Sequence, residues 1–483
     1  MENILIRGVN WLGDAVMSLP AVRAIRKLHP ESNISILVKE KIADLFIWEK
    51  SIDEIIIYKQ GFMGKIKTIK ELKTKKFKRA YLLQNALDAA LITTLAGIPE
   101  RVGWNRDMRG IFLTHSVPYH GEDRKIHHID YFFEIPKRFN PSLIPEYPWI
   151  NLPLEERISA RRQLKDLKRP ILAISPGAKY GDTKRWDAKK FIEISKRFAT
   201  EYGSVIFFGS PGEDLEIKNE INNSDIYNFI GKTSLRDLIC LLSECDLLLC
   251  NDSGIMHLGY ALGVPLVAIF GSTSAELTGP PKFAGKVIRA QVDCSPCFKN
   301  RCSDIKCMKS IDVDDVWNVL NEIIPLKKAV FFDRDGTLCK DAHYLNRWED
   351  FEVFPHIERL NELKELGFLL IGVTNQSGIA RGIIKEDFVK EVNKFFIEKY
   401  GFDEFLYCPH HPDDKCFCRK PNPGMPLIAR YKYGIDFKKS YVVGDKDIDI
   451  QLAHMIGAKG ILINKDAKDL KEVVEIIKRD MNA

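Results

Sequence analysis

The chain has 483 residues, of which 45% are hydrophobic and 29% are charged, a balance typical of globular protein rather than of a disordered or fibrous chain. This length is too great for one hydrophobic core, so we expect roughly two to four domains. A net charge of +6 is small for this size and does not by itself indicate nucleic-acid binding.

The sequence shows no targeting or membrane-spanning signal. "MENILIRGVNWLGDAV" lacks a basic start followed by an uninterrupted apolar run, and the most apolar stretch, residues 259–271, is broken by Gly263 and Pro265. The eleven cysteines are odd in number and cluster as C-x-x-C and C-x-C, which favours reduced thiols and metal over a disulfide framework. We expect a cytoplasmic protein, with peripheral attachment to the inner membrane left open.

Short β-branched apolar runs alternate with longer helical patterns along the whole chain, which predicts parallel α/β domains. A first strand at "NILIRG" is followed by a helix from about Pro20 to Leu28 and a second strand at "NISILV". New strand-first starts occur at "PILAISPG", after the charged stretch "LEERISARRQLKDLKR", and at "AVFFDRDGTL", after "PLKK". These starts predict domains at residues 1–155, 156–325 and 326–483.

The first predicted domain contains a strongly basic stretch. From Lys59 to Arg79 there are nine Lys or Arg residues and one acid, Glu71. The stretch is either a solvated helix face or a patch that faces an anionic surface such as phosphorylated lipid headgroups.

The turn after the first strand, "RGVNWLGDAV", lacks the G-x-G-x-x-G pattern, so nicotinamide binding is disfavoured. Asp14 lies on this glycine-rich turn between strand and helix, where a carboxylate can be presented to a cleft. The alternative is that Asp14 caps the following helix.

The second predicted domain offers groups for a diphosphate. Lys184 in "SPGAKYGDTKRW" would neutralise charge on a departing diphosphate, unless it is an ordinary solvated lysine. In "CNDSGIMHLGYALGVP", Asp252, Ser253 and Gly254 follow a strand and open a helix, whose backbone N–H groups can receive phosphate oxygens. His257, one turn later, points the same way. Asp252 could equally be a capping residue.

"NWLGDAVMSLPAVRAI", "SPGAKYGDTKRW" and "CNDSGIMHLGYALGVP" together resemble the ADP-heptose lipopolysaccharide heptosyltransferases, glycosyltransferase family 9, over roughly residues 1–325. The tryptophan in "NWLGD" and the cysteine pattern at 294–307 look closer to heptosyltransferase II than to the first heptosyltransferase. The resemblance implies a GT-B pair of Rossmann-like domains, the first binding the acceptor and the second ADP-heptose, with the active site in the cleft between them. It also implies inverting transfer with Asp14 as general base and without a bound metal.

The isolated cysteines are expected to be small buried apolar side chains; they are Cys240, Cys245, Cys250 and Cys339. A separate group consists of Cys294, Cys297, Cys302 and Cys307. These four thiols could hold zinc, but their spacings are looser than paired C-x₂-C knuckles, and reduced cysteines packed in a loop are the alternative.

Polar residues follow the predicted strands of the third domain in "FFDRDGT", "GVTNQSG", "CRKP" and "VVGDKDIDI". Because ligands gather at the carboxyl ends of parallel strands, we expect these segments to meet in one crevice. Asp333 and Asp335 are two residues apart, which directs both carboxylates to one side of an extended chain. One can attack phosphorus while the other donates a proton to the leaving oxygen and then activates water.

Two carboxylates repel a phosphate dianion, so this chemistry requires a divalent cation. Asp333, the Asp335 carbonyl and Asp445 are oxygen ligands that suit Mg²⁺. The residues expected to hold the phosphoryl oxygens are Thr374, Asn375 and Lys420.

These segments resemble the haloacid dehalogenase (HAD) superfamily of phosphatases across about residues 327–475. "DRDGTL", "VTNQSGIARG", "CPHHPDDKCFCRKPNPGM" and "VGDKDIDIQLA" look like D-glycero-D-manno-heptose 1,7-bisphosphate 7-phosphatase. The resemblance implies an aspartyl phosphate at Asp333 and acid/base catalysis by Asp335. The implied substrate contacts are Lys420, Lys446, Arg381 and Arg419. The short insert in the cysteine loop resembles histidinol-phosphate phosphatase, which remains an alternative, as does a non-catalytic, zinc-braced binding module.

"YCPHHPDDKCFC" contains four candidate zinc ligands: Cys408, His410, Cys416 and Cys418. Four N/S ligands close a tetrahedral shell without an open position, which favours a structural zinc over a catalytic one. His411 is predicted to lie outside the shell. Because the loop ends immediately before Arg419 and Lys420, we expect it to hold those two cations in place.

Together these patterns predict a bifunctional enzyme of lipopolysaccharide inner-core synthesis. Its expected substrates are ADP-heptose, a lipopolysaccharide core acceptor at the inner membrane surface, and heptose bisphosphate, and no nucleic acid is expected. The two reactions are not consecutive, so direct channelling is not implied.

Overall fold

A computed structural model describes residues 2–213, 224–414 and 416–481. The chain divides into two compact units, Met1–Asn321 and Glu322–Ala483. The described residues form three parallel sheets, two in the first unit and one in the second. The predicted class, parallel α/β throughout, is confirmed.

The first sheet has the order β3-β2-β1-β4-β5-β6, with every neighbouring pair parallel. Its strands are β1 Asn3–Arg7, β2 Asn33–Val38, β3 Glu54–Ile57, β4 Arg79–Leu82, β5 Glu100–Trp104 and β6 His115–Val117. The helices around it are α1 Leu12–Met17, α2 Leu19–Leu28, α3 Glu40–Ala43, α4 Gly61–Lys75, α5 Leu87–Leu95 and α6 His128–Lys137.

Helices cover both faces of this sheet. Ile4 and Ile6 of β1 belong to one buried core together with residues of α1, α2 and α6, whereas Leu5 belongs to another with residues of α4 and α5. Because successive strand residues point to opposite faces, α4 and α5 lie on one side of the sheet and α1, α2 and α6 on the other.

The second sheet has the order β12-β11-β10-β7-β8-β9, again parallel throughout. Its strands are β7 Ile171–Ser175, β8 Ser204–Phe207, β9 Ile226–Asn228, β10 Leu247–Asn251, β11 Leu266–Phe270 and β12 Gly285–Arg289. The helices are α7 Leu154–Gln163, α8 Ala188–Glu201, α9 Leu235–Leu242, α10 Gly254–Ala261, α11 Ala275–Thr278, α12 Lys306–Lys309 and α13 Val313–Ile323.

The two sheets of the first unit are joined by packing of α1 against α10 and by hydrogen bonds from the segment that connects them. Ile150 N donates to Ala261 O at 2.9 Å, and the Tyr147 hydroxyl donates to Tyr260 O at 2.6 Å. Buried apolar residues of both sheets accordingly form one continuous core. The carboxyl ends of β1 and β10, which precede α1 and α10, are thereby brought together.

The third sheet has the order β15-β14-β13-β16-β17 and is parallel. Its strands are β13 Lys328–Phe332, β14 Phe368–Asn375, β15 Glu404–Cys408, β16 Tyr441–Gly444 and β17 Lys459–Leu462. The helices are α14 Asn361–Glu365, α15 Glu386–Tyr400, α16 Gly424–Tyr433, α17 Asp447–Ile456 and α18 Leu470–Met481. Separate cores lie on the two faces, one including Val330 and Phe332 and the other Ala329 and Phe331.

The charged stretch between the first two predicted domains is largely helical. It contains α7, which packs against α9. Arg161 Nε donates to Glu244 Oε2 at 2.7 Å, and Glu244 is almost completely buried. The four isolated cysteines are buried, as expected. None of the helices in the described ranges has both the length and the apolar character needed to cross a bilayer.

Candidate active sites

The first candidate site is a cavity of about 440 Å³ in the first unit. Its walls come from α1, the start of α6, α10 and the loops that follow β7, β11 and β12. All of these follow the carboxyl ends of parallel strands, where α/β sheets bind ligands. The residues predicted for the transferase site all line this cavity: Asp14, Lys184, Asp252, Ser253, Gly254 and His257.

Asp14 lies in the first turn of α1. The N-cap position is Trp11, whose side chain makes no capping hydrogen bond, so the alternative that Asp14 caps the helix is wrong. The Asp14 side chain is about a third exposed, and its Oδ1 lies 3.7 Å from His128 Nδ1. That His128 nitrogen has no hydrogen-bond partner among the described residues. Asp14 is therefore a carboxylate open to the cavity with an imidazole beside it, an arrangement suited to accepting a proton.

Lys184 is held in place by a buried carboxylate. Its Nζ lies 2.5 Å from Asp252 Oδ2, and the Lys184 side chain is only 14% exposed. Thr273 Oγ1 donates to the same oxygen at 2.6 Å, and the Tyr180 ring lies 4.8 Å from the ammonium. The solvated-lysine alternative is therefore wrong. The capping alternative for Asp252 is wrong too, since the N-cap of α10 is Ser253.

The N-terminus of α10 faces the cavity through Ser253 and Gly254. Ser253 Oγ is buried without a hydrogen-bond partner in the part of the chain that the structure describes. A Cβ on Gly13 would lie 2.6 Å from His257 Cδ2, so the absence of a side chain at Gly13 is what lets α1 approach α10. His257 Nδ1 lies 2.9 Å from the Tyr260 hydroxyl, and burial lowers the pKa of His257 to about 4. His257 is therefore a neutral imidazole, and Lys184 supplies the positive charge.

The cysteine group at 294–307 lies in a loop beside this cavity. Phe298 lines the cavity, and its backbone carbonyl accepts from the Tyr180 hydroxyl at 2.6 Å. Among the described residues, the clusters whose candidate ligand atoms all lie within 4.8 Å of one another are the other cysteine loop and a set of aspartates. Cys294 and Cys302 are exposed, Cys297 is partly buried and Cys307 is buried, so only Cys307 fits the packed-loop alternative in full.

The second candidate site is a cavity of about 290 Å³ at the carboxyl ends of β13 and β14 in the second unit. Asp333 follows β13 directly, and Thr374 and Asn375 end β14. The predicted residues that line it are Asp333, Asp335, Thr374, Asn375, Arg419, Lys420 and Lys446. The exposed Arg381 is not among the lining residues.

Lys420 is the electrostatic centre of this site. Its fully buried Nζ lies 2.9 Å from Asp333 Oδ1 and 2.7 Å from Asp449 Oδ1. Burial raises the pKa of Asp333 to about 6, with the Lys420 ammonium opposing the rise. Burial also disfavours the charge on Lys420, but the two carboxylates outweigh it and raise the pKa of Lys420. The ammonium is therefore permanently charged next to the expected nucleophile.

Asp333, Asp445 and Asp449 place their carboxylates together, with candidate ligand oxygens within 4.8 Å of one another. Asp445 Oδ1 is buried and makes no hydrogen bond to any described residue. Gly336 has a φ of +88°, and a Cβ there would lie 2.3 Å from Asp445 Oδ2, so this glycine makes room for the carboxylate. A cluster of oxygen donors with an unsatisfied buried carboxylate suits Mg²⁺. Sequence reasoning missed Asp449, and the Asp335 side chain lies outside this cluster.

Asp335 is instead held by neighbouring polar groups. Arg334 Nη2 donates to both of its oxygens at 3.0 Å, and Gln376 Nε2 donates to Oδ2 at 2.7 Å. Thr374 Oγ1 lies 3.4 Å from the same oxygen. Asn375 makes reciprocal hydrogen bonds with the backbone of Lys420, at 3.0 and 3.2 Å. Thr374 and Asn375 therefore position Asp335 and Lys420 in addition to facing the cavity.

Two further cationic side chains, those of Arg419 and Lys446, line the cavity. Arg419 Nη1 is buried without a partner among the described residues, and Lys446 Nζ lies 3.1 Å from Asp341 Oδ2. Further lining residues that the sequence did not suggest are Asp341, His343, Tyr344, Gln376 and Ser377. Gln376 and Ser377 lie in the same segment as Thr374 and Asn375, whereas Asp341, His343 and Tyr344 belong to none of the motifs singled out in the sequence.

The four candidate zinc ligands converge on one point. The Cys408–Cys416 and Cys416–Cys418 Sγ distances are 3.4 and 3.5 Å, and His410 Nδ1 lies 3.6 Å from Cys408 Sγ and 3.2 Å from Cys418 Sγ. A tetrahedral zinc with ordinary bond lengths requires S···S edges of about 3.8 Å and N···S edges of about 3.5 Å, so the donor set fits zinc. His411 makes other contacts, with its Nδ1 3.3 Å from Asp413 Oδ2.

Comparison with known proteins gives a separate match for each unit. The model of glycosyltransferase family 9 (heptosyltransferase) matches residues 65–308. Lipopolysaccharide heptosyltransferase 2 of Escherichia coli K12 is 28% identical over 306 residues, covering 59% of this chain and 87% of that protein. The solved structure of E. coli ADP-heptose lipopolysaccharide heptosyltransferase II superposes with a TM-score of 0.58 and 26% identity, covering 67% of this chain and 98% of that one.

The HAD-hydrolase-like family model matches residues 417–480. D-glycero-alpha-D-manno-heptose-1,7-bisphosphate 7-phosphatase of Photorhabdus laumondii is 37% identical over 161 residues, covering 31% of this chain and 88% of that protein. D-glycero-beta-D-manno-heptose-1,7-bisphosphate 7-phosphatase of the same organism is 39% identical over 166 residues, covering 30% of this chain and 88% of that protein. Phosphatases named for either anomer are thus similar to the second unit.

Proposed function

Since the chain belongs to glycosyltransferase family 9 and its second unit belongs to the D-glycero-D-manno-heptose-1,7-bisphosphate 7-phosphatases, we propose one bifunctional enzyme of lipopolysaccharide inner-core synthesis. Residues 1–155 bind the lipopolysaccharide core acceptor, residues 156–325 bind ADP-heptose, and residues 326–483 hydrolyse the 7-phosphate of heptose 1,7-bisphosphate. The transferase is of the heptosyltransferase II type, which the similarity to the E. coli enzyme supports.

In the transferase half, Asp14 takes the proton from the acceptor hydroxyl as its oxygen attacks the anomeric carbon of heptose, with inversion. The leaving group is ADP, whose diphosphate gains negative charge as the bond breaks. Lys184 neutralises that charge, and the amides at the start of α10 donate to phosphate oxygens. Asp252 keeps the Lys184 ammonium in the cavity through their 2.5 Å contact.

In the phosphatase half, Asp333 attacks the 7-phosphoryl group to give an aspartyl phosphate. Asp335 protonates the departing sugar oxygen and then takes a proton from the water that hydrolyses the intermediate. Lys420 faces the phosphoryl oxygens from its position beside Asp333, while Arg419 and Lys446 contact the rest of the substrate.

The proposed phosphatase has two metal sites. Asp333, Asp445 and Asp449, together with the Asp335 carbonyl, would hold Mg²⁺, which when bound would supply the positive charge that lets a phosphate dianion approach carboxylates. The loop that ends immediately before Arg419 and Lys420 would hold a structural Zn²⁺.

The observation that most strongly supports this function is the arrangement of Lys420 between Asp333 and Asp449, at 2.9 and 2.7 Å in a buried site. A non-catalytic binding module has no need for a nucleophile and a buried cation in contact.

The test uses the full chain and two variants that serve as controls for each other. We expect phosphate release from heptose 1,7-bisphosphate, supplied as each anomer, to exceed release from histidinol phosphate. Asp333→Asn should abolish this release and leave heptose transfer intact, whereas Asp14→Asn should abolish transfer from ADP-heptose and leave phosphate release intact. Preference for histidinol phosphate, or either activity surviving its own substitution, would contradict the proposal.

A further inference from the structure

The outer face of α4 and α5 is apolar where a surface helix is normally polar. Leu87, Leu91 and Leu95 recur at i, i+4 and i+8 along α5 and are 45%, 39% and 50% exposed. At the start of α4, Phe62 and Met63 are 79% and 64% exposed. Water therefore contacts large apolar side chains on both helices.

These side chains lie on elements that pack against one another. The two helices pack against each other on the same side of the first sheet, and Lys65 Nζ lies 3.5 Å from Asp88 Oδ2, which joins their N-terminal turns. Ile111, 86% exposed, lies in the short turn Gly110–Phe112, which packs against α5. We call this group the α4–α5 surface; its apolar members are Phe62, Met63, Leu87, Leu91, Leu95 and Ile111.

The outward leucines are not needed for the core of the unit. The inward side of α5 already buries Ala89, Ala90 and Ile92 against the sheet. An amphipathic surface helix places its apolar residues on that one side only. Contiguous exposed apolar patches on soluble proteins usually mark a contact with a partner or a membrane.

The same surface carries exposed positive charge. On α4, Lys67 and Lys70 follow Met63 at i+4 and i+7, so the three side chains share one exposed face. Lys73, one turn further, and Lys59, just before the helix, are exposed too. Apolar side chains that can enter an acyl region, flanked by lysines that can pair with phosphate headgroups, are the features of a surface that binds an anionic bilayer.

The position of the surface relative to the transferase cavity is also favourable. The N-terminus of α4, the N-terminus of α5 and the turn at Ile111 follow β3, β4 and β5, so they lie at the carboxyl edge of the first sheet. Asp14 follows β1 and lies at the same edge. The end of the α4–α5 surface that carries Phe62, Met63, Leu87 and Ile111 therefore lies at the same sheet edge as Asp14.

We propose that the α4–α5 surface docks the protein on an anionic lipid bilayer. Lipid binding itself requires only this surface, whereas its purpose, bringing a lipid-anchored acceptor to Asp14, rests on the proposed transferase function. The lysines attract the surface from a distance, and the apolar side chains hold it at the interface.

The test is sedimentation of the full chain with vesicles of phosphatidylcholine, alone or mixed equally with phosphatidylglycerol. We expect binding to the mixed vesicles, weakened when the salt concentration rises from about 0.1 M to about 1 M because screening shortens from roughly 10 Å to 3 Å. The double variants Leu91→Gln/Leu95→Gln and Lys67→Gln/Lys70→Gln should each lower the partition coefficient by roughly tenfold or more. Ile144→Gln is the matched control, since Ile144 is 80% exposed but lies outside the surface, and it should bind like the wild type.

Failure to bind mixed vesicles, or equal binding by all variants, would overturn the proposal. A decrease in the oligomeric mass in solution caused by Leu91→Gln/Leu95→Gln would also overturn it, because the α4–α5 surface would then bind a second copy of the chain. Transfer assays distinguish lipid binding by this surface from the proposed transferase function. If the surface docks, the double variants retain transfer to a water-soluble core fragment but lose it for acceptor in vesicles. If the proposed transferase function is wrong, neither acceptor is modified although vesicle binding remains.

Discussion

Replacing Lys420 by methionine tests the electrostatic centre of the phosphatase site. The substitution keeps an unbranched side chain of similar length and removes a fully buried ammonium that contacts Asp333 and Asp449 at 2.9 and 2.7 Å. At these distances the gross attraction of each pair is about 6 kcal/mol with an effective dielectric constant of about 20. Desolvation of the three groups offsets much of it, so removing the one cation is expected to destabilise the second unit by about 3–5 kcal/mol.

Amide hydrogen exchange in β13 and β16 measures this loss in the full chain, since exchange of central strands reports on opening of the unit to which they belong. A cost of about 3–5 kcal/mol speeds exchange by opening roughly 150- to 4,000-fold, at about 1.4 kcal/mol for each factor of ten. The measurement is made without Mg²⁺, so that the ammonium is the counter-charge under test.

Lys446→Met is the matched control. It removes the same charge near the same cavity, but the Lys446 side chain is about half exposed, with its nearest carboxylate, that of Asp341, at 3.1 Å. Exposed pairs contribute less than about 1 kcal/mol, so exchange should change by less than roughly fivefold. Equal effects of the two substitutions would refute the reasoning from burial. Below a pH of about 6 Asp333 is protonated, so its attraction to the Lys420 ammonium is weaker and Lys420→Met should speed exchange less. An increase in exchange that is as large below this pH as above it would also refute the reasoning.

Three further predictions concern the metal sites. Gly336→Ala should abolish phosphatase activity and weaken Mg²⁺ binding in a titration, while leaving heptose transfer unchanged. Alanine at the φ of +88° that Gly336 adopts costs about 1–2 kcal/mol, and the alanine Cβ would displace the Asp445 carboxylate. Cys416→Ser, or zinc chelation verified by metal analysis, should raise the KM for heptose bisphosphate and leave Mg²⁺ affinity unchanged. The reason is that the zinc loop positions Arg419 but contains no Mg²⁺ ligand. An unchanged KM would contradict the proposal that this loop holds Arg419 in place. Because the pKa of Asp333 is raised by burial to about 6, the metal-free second unit should lose stability as the pH rises from about 4 to about 6, and Mg²⁺ affinity should increase over that interval. Mg²⁺ affinity that is flat with pH, measured by calorimetry, would contradict the last prediction.

The sequence predicted site residues correctly where a reactive side chain follows a predicted strand directly. Asp333 and Asp335 could be assigned to the cavity because they follow β13, and the carboxyl end of a parallel strand faces the ligand-binding edge of the sheet. The strand-first starts also predicted the parallel sheets, since strands that are buried on both faces read as continuous apolar runs.

What the sequence could not provide depends on tertiary placement. Asp449 and Gln376 lie in the same motifs as residues that were identified, yet only the folded loops show that one contacts Lys420 and the other Asp335. The pattern of α5 is equally ambiguous, because an apolar residue such as Leu91 has the same periodicity whether a neighbouring helix or water covers it.

The two cysteine groups illustrate the same limit. Each offers four candidate ligands within about fifteen residues, but in the described structure only the set that includes Cys408 and Cys416 brings its donor atoms together. Spacing sets which ligands can meet, and the turns between them decide whether they do.

Each of the two units has its own buried cores and its own cavity, and the residues that line one cavity are distinct from those that line the other. Every copy that is translated therefore delivers both catalysts in a fixed ratio of one to one. A cell with separate enzymes can balance two fluxes by expressing more of one protein. In this chain the ratio of the two fluxes depends on the turnover numbers of the two sites. A change in the turnover number of one site therefore changes the turnover number that is needed at the other.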